Sequence, residues 1–76
     1  MRDFLEFIVK HLVDQPDHVA LEEEEAENRV TFKVRVAQGE VGKVIGKNGR
    51  TAQAIRVLLA AVAAREGKRA VLEILD

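Results

Sequence analysis

Gly46-Lys47-Asn48-Gly49 lies between two apolar stretches of helical character, Val41–Ile45 and Arg50–Glu66, and it constrains the fold more than any other segment. Two glycines three positions apart make a tight corner and leave the backbone open to close approach. In the longer stretch Ile55, Leu58, Leu59 and Val62 fall at core spacing, and alanines fill a close-packed side. Arg65 followed by Gly67 predicts its end. A helical corner of this kind must pack on something, and the rest of the chain has to supply it.

That remainder is small. The chain has 76 residues, so one domain spanning 1–76 is expected. There is no cysteine, hence no disulfide, thiolate metal site or cysteine nucleophile. Hydrophobic residues at 47% are too many for a disordered chain, yet no apolar run approaches the roughly 20 residues that span a bilayer. Met1-Arg2-Asp3-Phe4 brings an acid right after the first charge, unlike a signal peptide. A soluble chain in the reducing cytoplasm is therefore expected.

The first segment reads as a helix. Asp3 and Glu6 have capping-box spacing, and Pro16 stops the run. Leu5, Ile8, Val9 and Leu12 follow the i, i+3, i+4, i+7 pattern, widened by Phe4, Phe7 and Val13, with His11 inside the arc. So broad an apolar face predicts either deep packing on both flanks or contact with a partner subunit. Phe4, Phe7 and Phe32 all occupy core-periodic positions.

His18-Val19-Ala20-Leu21, then Glu22-Glu23-Glu24-Glu25, then Ala26-Glu27-Asn28 read as a short strand whose end and turn are acidic. Arg29 to Val36 alternates cleanly, with Val30, Phe32, Val34 and Val36 on one face and Arg29, Thr31, Lys33 and Arg35 on the other. A hairpin follows, in which the basic residues of one strand can pair with the acids of the other. Arg69 to Leu75 closes the chain as an apolar strand. The predicted class is α+β in the order α-β-β-α-α-β, a three-stranded sheet with helices packed on one face.

Charge is unevenly placed. Residues 1–28 carry nine acidic and two basic residues, and residues 29–76 carry ten basic and four acidic ones. Lys43, Lys47, Arg50 and Arg56 have no acidic neighbour within 41–56. This pattern suits a polyanion on one face, or else a surface whose charges are simply solvated.

Enzymatic readings of the loop fail. A Walker A loop needs G-x-x-x-x-G-K-[ST], and Gly42 to Asn48 is one residue short and ends in Asn. The dinucleotide fingerprint fails because Val44 stands where its first glycine belongs. His11 and His18 are the only histidines, and no H-E-x-x-H or EF-hand spacing occurs. The chain is not expected to be an enzyme, and no metal or cofactor is implied. Two readings of Gly46 to Gly49 stay open on the residues alone: a plain helix–turn–helix corner, or a phosphate site with Lys47 and Arg50 beside the open start of the second helix.

Val44-Ile45-Gly46-Lys47-Asn48-Gly49-Arg50 resembles the signature of a KH domain, whose G-x-x-G loop clamps about four nucleotides of single-stranded nucleic acid. The element order is similar to that of type II KH domains, and the likeness extends over essentially the whole chain, as in small bacterial single-KH-domain RNA-binding proteins. The resemblance implies that Gly46, Lys47, Asn48 and Gly49 hold phosphates. It implies that Val44, Ile45 and Ile55 form an apolar groove wall, with Lys43, Arg50 and Arg56 adding positive charge. The second strand, Arg29 to Val36, and the acidic loop before it would form the opposite side. Two positions depart from the family pattern. Ala52 replaces a bulky aliphatic residue, and Glu22 to Glu27 would repel a passing phosphate chain.

The function expected from this reading is binding of short single-stranded RNA with low sequence specificity, as an RNA chaperone or post-transcriptional regulator. Single-stranded DNA is an alternative ligand. A protein-interaction module acting through homo- or heterodimerisation with another KH-domain protein is the alternative function.

Overall fold

The computed structural model describes residues 1–75. Its elements run α1 (Arg2–Leu12), β1 (Ala20–Glu25), β2 (Arg29–Arg35), α2 (Val41–Ile45), α3 (Arg50–Ala64) and β3 (Arg69–Leu75). Short 3-10 turns occupy Pro16–His18 and Lys47–Gly49. This is the expected order.

The clean alternation of β2 makes it the central strand. β1 pairs with it antiparallel and β3 parallel, giving the sheet order β1-β2-β3. Val30, Phe32, Val34 and Val36 are buried, as the pattern requires. The register places Leu21 and Leu72 on the same side as that row. Leu5 and Val9 of α1, Val44 of α2, and Ile55 and Leu59 of α3 close over it as one core. Burying a side chain such as Phe32, Leu5 or Leu59 contributes about 1.5–3 kcal/mol each, so a handful of residues carries much of the fold. The other sheet face carries Thr31, Lys33 and Arg35 and contributes nothing to that core.

Several expectations are corrected. Met1, not Asp3, is the N-cap of α1, and no side chain caps it. The helix ends at Leu12 with Val13 extended, and Pro16 opens the next turn instead of stopping the helix. Phe32 is fully buried, but Phe4 is 40% and Phe7 62% exposed. An 11-residue helix on a small sheet can bury only one stripe, and Leu5 and Val9 take it. His11 accompanies them outside: its ring lies 4.2 Å from that of Phe7, and its Nδ1 is 2.8 Å from the Phe7 carbonyl.

The acidic end of the first strand is Glu22 to Glu25, inside β1, and the turn is the segment after them, closed by the Ala26 N–H donating to the Arg29 carbonyl at 2.7 Å. The strand starts at Ala20 and not at His18, which closes the 3-10 turn opened by Pro16. The predicted hairpin pairing is present in one pair, Lys33 donating to Glu24 at 2.8 Å. Glu25 is closed instead by Lys68, from the segment before β3. α3 ends two residues earlier than expected. Gly67, at φ +71°, donates to Ala64 while Lys68 donates to Ala63, the bond pair of a Schellman stop. Leu58, expected in the core, faces solvent.

Candidate nucleic-acid interface

α2 ends when the Gly46 N–H donates to the Gly42 carbonyl at 2.8 Å and the backbone swings to φ +78°. Asn48 and Gly49 then both adopt left-handed angles, φ +59° and +74°, before α3 begins at Arg50. The two glycines serve different ends. A Cβ at Gly46 would lie 2.2 Å from Thr51 Oγ1, so packing forbids any side chain there. A Cβ at Gly49 would meet nothing, so that position is chosen for its backbone angle alone and leaves open space beside it. The turn is held by the Gly49 N–H to the Gly46 carbonyl at 3.0 Å and by the Arg50 N–H to the Lys47 carbonyl.

These angles turn the loop outward around an open cleft of about 320 Å³ lined by Lys47, Asn48, Arg50 and Thr51. Among the described residues neither Lys47 nor Arg50 has an ion-pair partner. The start of α3 adds its positive dipole end to theirs. Chemically the cleft is fitted to an anion small enough to approach backbone. Three of the site residues named from the sequence, Lys47, Asn48 and Arg50, meet there, with Gly46 and Gly49 shaping the turn.

The other named residues separate. Val44 and Ile55 are core side chains, 0% and 3% exposed, so they are not the exposed apolar wall expected of them. Ile45, 38% exposed, is the one of the three that faces out. Lys43 is closed onto Asp14, an acid from beyond α1 that local sequence did not place beside it. That hydrogen bond raises the Lys43 pKa, keeping the ammonium charged but neutralised. Arg56 reaches sideways, its Nη2 donating to the Leu72 carbonyl at 3.5 Å, along β3 and away from the cleft.

The strand expected opposite the loop also lies differently. β2 is hydrogen-bonded along both edges, so it has no free edge to offer a ligand. The strand with a free edge, packed against both α2 and α3, is β3. The acidic hairpin lies at the far end of α3: Glu25 meets Lys68, and the Arg69 N–H donates to the Asn28 carbonyl at 2.9 Å. A helix of 15 residues puts about 20 Å between that end and the glycine loop. Ala52, smaller than the usual residue, is buried at 2% beneath the start of α3.

Two residues at the site had escaped the sequence reading. Thr51 lines the cleft and packs against Gly46, and its one sequence signal is its place in the first turn after the glycines. Glu40, 5% exposed, is the buried acid of the core. Its carboxylate accepts from the backbone N–H groups of Asp14 and Gln15, tying the end of α1 to the entry of α2. Nothing local marks it, because its partners are more than twenty positions away.

An α-β-β-α-α-β chain with a parallel β2–β3 pair and a G-x-x-G corner joining two helices is a KH domain. The family model described as "KhpA/KhpB, KH domain" matches residues 2–74. The chain is 47% identical over 76 residues to the RNA-binding protein KhpA of Chlamydia trachomatis, covering 100% of this chain and 97% of that relative. It is 51% identical over 74 residues to KhpA of Borreliella burgdorferi, covering 97% and 90%. It is 47% identical over 76 residues to KhpA of Aquifex aeolicus, covering 100% and 96%. The chain belongs to the KhpA/KhpB KH-domain family, which is not a family of enzymes. No solved structure matches it.

Proposed function

We propose that this chain binds short single-stranded RNA at the G-x-x-G loop with low sequence specificity, serving as an RNA chaperone or post-transcriptional regulator. The observation that carries this reading is the cleft at the loop, where two cations, unpaired among the described residues, flank backbone held open by left-handed angles. Its relatives are named RNA-binding proteins, which agrees with it. A phosphate approaches Asn48 and Gly49 closely because no side chain stands at Gly49. Lys47 and Arg50 neutralise its charge, and Ile45 offers a base an apolar contact. No cleft residue is aromatic, so affinity comes from phosphate contacts and not from base stacking.

Fluorescence anisotropy with labelled single-stranded RNA at two salt concentrations tests this. Binding should weaken with salt at a slope of about −0.7 per phosphate contact. Lys47→Asp/Asn48→Asp should abolish binding while circular dichroism stays native. A double mutant that binds as tightly as the parent would show that the loop is not the site. The same oligonucleotide as DNA measures sugar selectivity, which the 2′-hydroxyl decides.

A second reading, assembly with another copy or another KH-domain protein, is supported by exposed apolar residues on two helices: Phe4 and Phe7 on α1, Val57 and Leu58 on α3. Light scattering should then give a dimer mass, lost in Phe7→Glu or in Leu58→Glu according to which helix pairs. A monomer at high concentration counts against self-assembly.

A further inference from the structure

Arg29 and Arg69 stand opposite each other in the parallel β2–β3 pairing, at the end of the sheet beside the hairpin turn. Their neighbours Val30 and Ala70 pair on the helix side, so the two arginines project from the helix-free face, and both are exposed. Neighbouring strands lie about 4.8 Å apart, which sets two like charges side by side, an arrangement that is unfavourable without a counter-ion.

No such counter-ion comes from the described residues. Neither arginine has an ion pair or a side-chain hydrogen bond among them. Glu22 and Glu24 are the acids of β1 on the same face: Glu24 is held by Lys33 at 2.8 Å, and Glu22 lies opposite Lys33, further along the strands from Arg29. Glu25 points to the other face and is held by Lys68. Glu73 lies opposite Lys33, two pleats along β3 from Arg69. The backbone beneath is fixed by hydrogen bonds of Ala26 to Arg29 and of Arg69 to Asn28. Two exposed guanidinium groups are therefore held in fixed register with no acid paired to either among the described residues.

We propose that Arg29 and Arg69 together bind one phosphate of the RNA strand that occupies the glycine loop, extending the footprint beyond that loop. This rests on the loop reading above. The guanidinium fork matches phosphate oxygens bidentately, and a shared anion relieves the repulsion between the pair. The route is set out by charge. Lys47 and Arg50 stand at the start of α3, Arg56 lies along β3 at Leu72, and Arg69 begins β3 just after α3 ends. A G-x-x-G loop holds about four nucleotides, so a longer strand following β3 has phosphates left to place.

The test compares labelled RNA of about four nucleotides, the length the loop clamps, with RNA about three times longer, on the parent and on Arg29→Ala/Arg69→Ala. The parent should bind the longer RNA more tightly. The variant should lose on the order of tenfold for the longer RNA, and its salt slope should shrink by about 0.7, one phosphate contact. The short RNA should bind the variant within about twofold of the parent, since it reaches only the loop. Arg29→Gln/Arg69→Gln is used if circular dichroism shows the alanine pair unfolded. Equal losses for both lengths, or none, would overturn the proposal, as would arginine-dependent binding of a polyglutamate peptide with no effect on RNA. A parent that binds neither length instead overturns the loop reading itself.

Discussion

At the start of α3, Lys47 and Arg50 stand beside an open cleft with no carboxylate paired to either among the described residues. Toward its end the chain does the opposite, closing Lys68 onto Glu25 and, across the hairpin, Lys33 onto Glu24. Lysine stands in both environments, so what differs is not the cation but the supply of acids within reach. β1 carries its four glutamates along one sheet edge and satisfies the lysines nearest to them. About 20 Å of helix separates the hairpin end, with Glu25, from the glycine loop, further than the Debye length of about 8 Å at physiological salt. A chain of net charge −1 can thus present a cationic corner.

The sharpest way to break this contrast is at the loop itself. Gly46→Ala forces a Cβ against Thr51 at a left-handed backbone angle, whereas Gly49→Ala meets open space and suffers only the angle. Gly46→Ala should lower stability by about 2–4 kcal/mol and Gly49→Ala by about 1 kcal/mol, measured by urea denaturation. Equal losses would mean that Thr51 does not brace the corner. A smaller effect is expected from replacing Glu22, Glu23, Glu24 and Glu25 with glutamine. Affinity for a short RNA should change less than about threefold at physiological salt, because the hairpin end lies beyond the screening length from the loop and Glu24 and Glu25 are already paired with lysines. A gain of an order of magnitude would place them beside the RNA path.

The smallest effect is in pH. The hydrogen bond from Lys33, reinforced by its charge, lowers the Glu24 pKa from 4.5. A carboxylate depressed on folding stabilises the native state above its unfolded pKa and loses that contribution as pH falls through the lower folded value. Stability measured downward from pH 5 should therefore decline slightly less steeply in Lys33→Met than in the parent. Because the pair is exposed, the difference should be small and should vanish in high salt.

Much of the fold was legible because its signals are local. The alternation of Arg29 to Val36 predicts a strand buried on one face, and it is the central strand. Gly67 predicts the end of α3 to within two residues. The loop glycines predict the corner. What misled was periodicity read without a partner surface: Phe4, Phe7 and Leu58 repeat at core spacing and yet face solvent. An apolar arc says that a face can be buried, and only the width of the sheet beneath says how much of it is.

The candidate site divides along the same line. Sequence alone determined the glycine corner, the cations that flank it and the α-β-β-α-α-β order, since each follows from backbone freedom, residue type and short-range pattern. Tertiary structure decided which of the named residues can meet a ligand. It buried Val44 and Ile55, closed Lys43 onto Asp14, turned Arg56 toward β3, and left Ile45 and Thr51 at the surface. It also made β3, not β2, the free edge, and set Arg29 beside Arg69. Those outcomes depend on contacts between residues far apart in the chain, and such contacts leave no trace in the spacing of either partner.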